Sequence, residues 1–400
     1  MTPGRGRALV GFGAFGWFWG TFGSSLPAIK AHADVSEGAL GVALLCVGLG
    51  ALISMRPMGA LVDRFGERVL PVSVLLFAAT ALFPALAGSA LTLSGSLILL
   101  GTASGAVDVA INTEGVRTEA TGPPLMNLAH ALFSAGVVGA SLLTGLLRSL
   151  DAELVVVLGA TSVALATIAL LLSRLEAAPR PASMYRSRVG DLLRIPRPLA
   201  ILGSLCAIAY LVENAWQSWS AVHLHETLHS SAAFASVGPA LFAASALVGR
   251  LLGQQLACRV SERALIAGGA GVAATGTLLA ATARSPSLAL FGIGVAGLGT
   301  SVCAPTLITL AGRNATAEMR ASAVSIVTTI AYLGFLIGPA AVGLGASASS
   351  LPIALAGVAL LAAMLALGAL WAPALKEDEP MVLESPQAPL LPTRKLPERS

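Results

Sequence analysis

Two carboxylates lie inside long apolar stretches of this 400-residue chain, and each has polar neighbours one helical turn away. Gly101, Gly105, Asp108 and Asn112 follow one another at spacings of four, three and four, which puts them on one helix face. An Asp within a membrane span costs ~2.5–3.5 kcal/mol on insertion scales, so it normally faces a cavity or a partner. Asp108 reads as a proton-titrating or solute-binding carboxylate with Asn112 as its hydrogen-bonding neighbour; the alternative is a structural Asp paired with a nearby Arg. Glu213, Trp216, Gln217 and Ser220 form a second group on one side of a helix. An aromatic face beside acid and amide groups suits a polyhydroxylated solute, the ring covering C–H surface while the polar groups take hydroxyls. Asn127, His130 and Ser134 make a third polar face, a cavity wall in which a neutral His binds a hydroxyl, passes a proton or simply bonds a neighbouring helix.

Other polar clusters carry less chemistry. Glu114, Arg117 and Glu119 read as a solvated helix end, and His223, His225 and His229 as a solvated loop with no metal-site spacing. Trp219 is either part of the polar face or an interfacial anchor. Gly334 through Pro339 puts small residues and a kink at one place, a helix-packing element. His130 and Ser134 are one turn apart, but no second nucleophile, oxyanion element or metal motif accompanies them, so no enzyme activity and no cofactor is expected. A Walker-type Gly-x-x-x-x-Gly-Lys loop is absent as well, which removes ATP as a direct energy source.

The elements that must position these residues follow from composition. Only 11% of the residues are charged, against roughly 25% in soluble domains, and 56% are hydrophobic. Val69–Val107, Ser285–Gly312 and Ala321–Leu375 carry no charge at all. Continuous apolar runs of about 20 residues specify spanning helices and not the alternating strands of a barrel. Twelve segments are long enough: approximately 8–29, 38–56, 69–88, 91–113, 124–147, 153–173, 198–222, 232–256, 264–283, 287–311, 321–345 and 350–372. The expected fold is therefore an all-α polytopic membrane protein. If the spans alternate, 21 of the 24 Lys and Arg fall on one side and only Lys30, Arg148 and Arg284 on the other, which assigns both termini to the cytoplasm. A basic balance of +4 thus reports topology, not nucleic acid. Cys46, Cys206, Cys258 and Cys303 are expected to be free thiols. The longest internal hydrophilic segment divides the chain into a six-helix bundle (1–173), a basic cytoplasmic linker (174–197) and a second six-helix bundle (198–373), followed by a Pro-rich tail (374–400) expected to be disordered. The halves echo each other: Arg56-Pro-Met-Gly59 matches Arg250-Leu-Leu-Gly253, and Gly101–Asp108 has a Gly-rich counterpart in Gly294–Pro305. Such pseudo-symmetric parallel repeats are the architecture of major facilitator transporters.

The loop from Gly59 through Asp63, Arg64, Gly66 and Arg68 resembles the signature loop of that superfamily, Gly-x-Leu-x-Asp-Arg-x-Gly-Arg-Lys. Gly59 would allow close helix approach, and Asp63 would cap a helix or pair with an Arg across the bundle interface, latching one state of the transporter. The second copy, Gly253 to Arg263, which follows Arg250 as a further gating residue, has lost the acid, so a latch there would be weaker or use Glu262. Asp108-Val-Ala-Ile-Asn112 and Asn127-Leu-Ala-His130 further resemble the fucose-permease-like branch, and the stretches Glu213 to Ser220 and Ala331 to Pro339 resemble its poorly characterised bacterial inner-membrane members. That resemblance implies that Asp108 stands where the permease keeps a buried carboxylate for proton-coupled sugar uptake. Gly23 stands where the permease keeps a second acid, so Glu213 becomes an alternative proton carrier. The resulting expectation is a monomeric inner-membrane secondary transporter in the lipid bilayer, coupling protons to a small polar, sugar-like solute. Proton-coupled efflux of drugs or metabolites is the alternative, and a transport-inactive sensor a minor one.

Overall fold

The computed structural model describes residues 4–120, 122–123, 125–177, 195–315 and 320–371. The tail expected from 374 onward and most of the linker 174–197 lie outside the described residues. Within them the chain is all helical: α1 (Arg5–Ala33), α2 (Glu37–Phe65), α3 (Val69–Ala81), α4 (Ala90–Ala120), α5 (Met126–Ser149) and α6 (Leu154–Arg174), then α7 (Arg197–Val222), α8 (Ala232–Ala235), α9 (Val237–Leu256), α10 (Glu262–Thr282), α11 (Pro286–Thr300), α12 (Cys303–Arg313), α13 (Arg320–Ala348) and α14 (Leu351–Trp371). The short α8 leads into α9, and α11 into α12, so these helices make twelve passes. Eleven stretches are long and apolar enough to cross a membrane. The remaining pass, α1, is 29 residues long but rich in Gly, Ser and Trp, which lowers its hydropathy.

The two halves pack by the same plan. In the first, α1 lies on α5, α2 on α4 and α3 on α6; in the second, α7 lies on α13, α9 on α11 and α10 on α14. Lipid supplies no hydrophobic drive between helices, so close backbone approach through small residues must hold them together. A Cβ at Gly101 of α4 would strike the Val47 carbonyl of α2, and one at Gly297 of α11 would lie 2.7 Å from the Phe242 carbonyl of α9. Gly334 of α13 meets the Ala207 carbonyl of α7 in the same way. Prolines then create the local irregularities. Pro339 cannot donate to the carbonyl four residues back, and that freed Phe335 oxygen accepts a 2.5 Å bond from Asn214 Nδ2. Trp219 is fully buried, its Nε1 donating to the Pro339 carbonyl at 3.1 Å, and so is not an interfacial anchor. The 321–375 charge-free run turns at Ser349–Ser350, between α13 and α14.

Asp63, Arg64, Arg68, Arg117, Arg259 and Arg313 gather at one end of the helices; Lys30, Arg148 and Arg284 lie at the other. At this second end the halves join. Lys30 at the end of α1 bonds Glu37 of its own half at 3.0 Å and Glu226, just beyond α7, at 2.5 Å. The Gly38 amide of α2 donates to Ser347 Oγ of α13 at 2.7 Å, and the Cα atoms of Gly41 and Gly343 nearly touch. A partly exposed ion pair of this kind is worth about 1 kcal/mol, so losing it should raise the separated population roughly fivefold. Spin labels at the exposed positions His32 and Ala348 would measure this, in a background without the four cysteines. Glu226→Gln should enlarge the long-distance population; an unchanged distribution would mean that the bridge does not hold the halves. Within a half, Gly334→Val should lower thermal stability by about 1–3 kcal/mol or more through overpacking against Ala207, measured by thermal unfolding in detergent.

Candidate functional site

Between the two bundles lies a cavity of about 1090 Å³. Its lining runs from Leu26, Leu44 and Pro339 to Ala257, Glu262 and Arg313 at the Arg-rich end, which form its rim. Asp108, Asn127, His130 and Ser134 line it from the first half, and Tyr210, Glu213, Gln217, Arg250 and Tyr332 from the second. Phe15, Trp19, Phe22, Phe133 and Phe335 supply apolar and aromatic surface. This mixture of extended aromatic wall and few convergent polar groups is that of a small-molecule site.

On the first wall, Asp108 Oδ1 accepts a 3.0 Å hydrogen bond from Asn112 Nδ2, which also donates to the Asp108 carbonyl at 2.9 Å. Asn112 itself is not part of the cavity surface. It sits one turn behind Asp108 and fixes the carboxylate. His130 lines the same wall of the cavity. The imidazole Nδ1 donates to the Met126 carbonyl at 2.9 Å, and the ring packs against Phe12 with centroids 5.0 Å apart, which leaves Nε2 as the edge free for chemistry.

The second wall corrects two expectations. Glu213 and Gln217 line the cavity, with Gln217 Nε2 donating to Glu213 Oε1 at 3.2 Å. Trp216 and Ser220 do not. Trp216 is fully buried in its own bundle, its Nε1 donating to Thr277 Oγ1 of α10 at 3.0 Å, and Ser220 packs on Gly238 of α9. The reason is helical geometry: at ~100° per residue, the wetted arc of α7 is centred on Tyr210, Glu213, Asn214 and Gln217, and Trp216 lies beyond its edge. Arg250 is the second correction. It was grouped with gating residues by its echo of Arg56, but it faces the cavity from α9 and its Nη2 pairs with Glu213 Oε1 at 3.0 Å. Tyr210 and Tyr332 went unrecognised in the sequence, although Tyr210 sits one turn before Glu213.

At the Arg-rich loop, Asp63 pairs with Arg117 of α4, in its own bundle, at 3.8 Å. Arg117 and Glu114 are buried, not solvated: Glu114 lies 3.6 Å from Arg7, whose guanidinium also donates to the carbonyls of Glu67 at 2.5 Å and Leu175 at 3.3 Å. Arg7 thereby ties α1, α4, α6 and the signature loop together. In the second half Glu262 pairs with Arg313, the equivalent arrangement with the acid shifted along the chain. A side chain at Gly59 would enter open space, so that glycine makes no close helix approach here. Gly66 ends α2 at φ 59°, a conformation L side chains rarely adopt. Arg64 stacks over Phe65, 5.2 Å from its centroid, and Arg68 is exposed.

His223 is fully buried with Nε2 3.0 Å from the Ala280 carbonyl, because a π-turn over 223–227 prolongs α7 into what reads as loop in the sequence. Among the described residues no group of His, Cys, Asp and Glu converges on a point where a metal would sit. The four cysteines are unpaired.

Comparison with known proteins agrees with this geometry. The chain is 33% identical over 365 residues to an uncharacterized MFS-type transporter of Yersinia pestis, covering 88% of this chain and 90% of that protein. It is 31% identical over 385 residues to an uncharacterized transporter of Sinorhizobium fredii, covering 94% and 99%. Among solved structures, the nucleoside transporter NupG superimposes with a TM-score of 0.77 at 13% identity, over 92% of this chain and 99% of that one. The inward-open xylose transporter XylE from E. coli gives 0.73 at 14% identity, over 94% and 97%. At such identities these structures speak for the fold alone. The profile of the Major Facilitator Superfamily matches residues 8–295 and 202–398, and the chain belongs to that superfamily.

Proposed function

We propose that this protein is a proton-driven secondary transporter that moves a small polar, sugar-like solute by alternating access. The observation that carries the reading is a large cavity, lined as far as the Arg-rich end, whose two walls each present a carboxylate: Asp108 from the first half and Glu213 from the second. Charged groups that line a water-filled path within a membrane are typical of proton relays and solute sites. Asp108 takes the coupling proton, with Asn112 holding it and His130 beside it; Glu213 is the second proton site. Asn127, His130 and Gln217 offer hydrogen bonds to hydroxyl groups, and Trp19 and Phe335 offer apolar faces to C–H surface.

The Arg-rich end is the cytoplasmic one under positive-inside topology, which puts both termini in the cytoplasm of a bacterial inner membrane. The bundles are residues 1–173 and 198–373, joined by the linker 174–197. On that orientation the cavity faces inward, and the Lys30–Glu226 bridge closes the periplasmic side. The pairs Asp63–Arg117 and Glu262–Arg313 each stay within one bundle in this state. Reorientation to the opposite state would bring Asp63, Arg64 and Arg68 toward the other bundle. The resemblance of Asp108–Asn112 to the fucose-permease-like branch supports a proton-coupled, sugar-like solute.

The test is a proton-flux measurement in proteoliposomes loaded with a pH-sensitive dye and challenged with pentoses, hexoses, inositol, nucleosides and sugar acids. Asp108→Asn and Glu213→Gln should each lower solute-dependent proton flux at least about tenfold. Full pH-dependent flux in both variants would refute the coupling.

A further inference from the structure

Arg250 is placed unlike the other cations among the described residues. Of the cavity-lining arginines among the described residues, Arg313 sits at the rim and is paired with Glu262, whereas Arg250 lies deeper, on the wall formed by α9. Its side chain keeps 39% of its surface exposed, and that surface is cavity. A guanidinium carries five N–H donors in a planar fork. Here one nitrogen, Nη2, holds one oxygen of Glu213, Oε1, at 3.0 Å, and that oxygen is shared with Gln217. The pairing is single-pronged where a fork-to-fork arrangement would engage both nitrogens. The rest of the fork points into open cavity.

A structural ion pair inside a membrane protein would be expected to close on itself, because burying charge is favourable only when both partners are saturated. This one leaves hydrogen-bonding capacity unused on the guanidinium. We propose that the transported solute carries an anionic group, of the carboxylate class, which binds the free edge of Arg250 and displaces Glu213, and that Glu213 takes up a proton when displaced. Charge then balances: the solute's negative charge replaces that of Glu213 on Arg250, and the proton neutralises the released carboxylate. The groups that act on Glu213 from every side fit this exchange. Tyr210 and Cys206 lie on its own helix, Cys303 on α12 and Arg250 on α9, while Asp108 on the opposite wall acts on the same Tyr210. None of these but Arg250 supplies a permanent positive charge. With the hydroxyl-binding groups opposite, the solute class is a polyhydroxylated acid, such as a sugar acid. This inference rests on the transporter reading above and narrows its solute.

The test separates the two. A bacterial metabolite extract is divided by ion exchange at neutral pH into anionic, cationic and unretained pools, and each is presented to proteoliposomes under an inward-directed proton gradient. Mass spectrometry then reads what enters. Protein-dependent accumulation is expected from the anionic pool, and Arg250→Gln should reduce it at least tenfold. Arg250→Gln alone leaves Glu213 unpaired and risks misfolding, so the neutral pair Glu213→Gln with Arg250→Gln is tested beside it, folding being checked by size exclusion. It too should move no anion. Glu213→Gln alone should still bind the anionic pool in thermal-shift measurements but lose dependence on the proton gradient. Accumulation confined to the unretained or cationic pool would overturn the inference while leaving the transporter reading intact, as would anion flux at the wild-type rate in the double variant. No protein-dependent accumulation from any pool would overturn both.

Discussion

A charge placed among apolar helices must be met by an opposite charge, by hydrogen bonds or by water, since ~30 Å of hydrocarbon offers none of them. The internal charges of this chain obey that constraint in two different ways, and the difference divides the molecule into framework and site. Arg7, Glu114, Asp63 and Arg117 answer one another at the Arg-rich end of the first bundle, with backbone carbonyls completing the set around Arg7. Asp108, His130, Glu213 and Arg250 face a cavity and are only partly answered by protein. The first group holds helices together. The second leaves capacity for something that enters from solution.

The same constraint explains why the bundles can act as bodies. Inside each half, helices meet where glycine lets one backbone press on another, as Gly101 does on Val47 and Gly334 on Ala207, and such contacts cannot slide without clash. Between the halves, at the end away from the arginines, the joins described are a half-buried lysine shared by two glutamates, one amide-to-serine bond and a glycine contact. Contacts of this kind open at low cost. Rigid halves with a weak seal are what a rocking mechanism requires, and the pseudo-symmetric pairing of α2 with α4 and α9 with α11 gives each half the same internal stiffness.

Much of the fold was legible because hydropathy and charge act locally. Apolar runs of span length marked all twelve passes, and the alternation of Arg-rich and Arg-poor loops marked their order. Of the cavity lining, Asp108, His130 and Glu213 were legible, since polar residues inside apolar helices have few innocuous explanations. Partner choice was not. Nothing in the spacing around Glu213 says that Arg250, 37 residues away, will reach it, or that Trp216 will turn to Thr277 instead of the cavity. Those outcomes depend on how α7 is rotated against α9 and α10. Glu114 and Arg117 misled for a similar reason: a charged helix end looks solvated until Arg7 from another helix covers it. His223 misled because a π-turn carried α7 past its expected end.

Alternating access is the claim on which the functional account rests, and paired distance measurements test it most directly. Spin labels on exposed residues of the two bundles, one pair at the Arg-rich end and one at the Lys30 end, should be followed in lipid as pH is lowered. The account predicts opposite changes: as one distance distribution shortens, the other lengthens, within the same population of molecules. Distributions that move together, or an Arg-rich end that stays open while the Lys30 end stays shut under every condition, would contradict it.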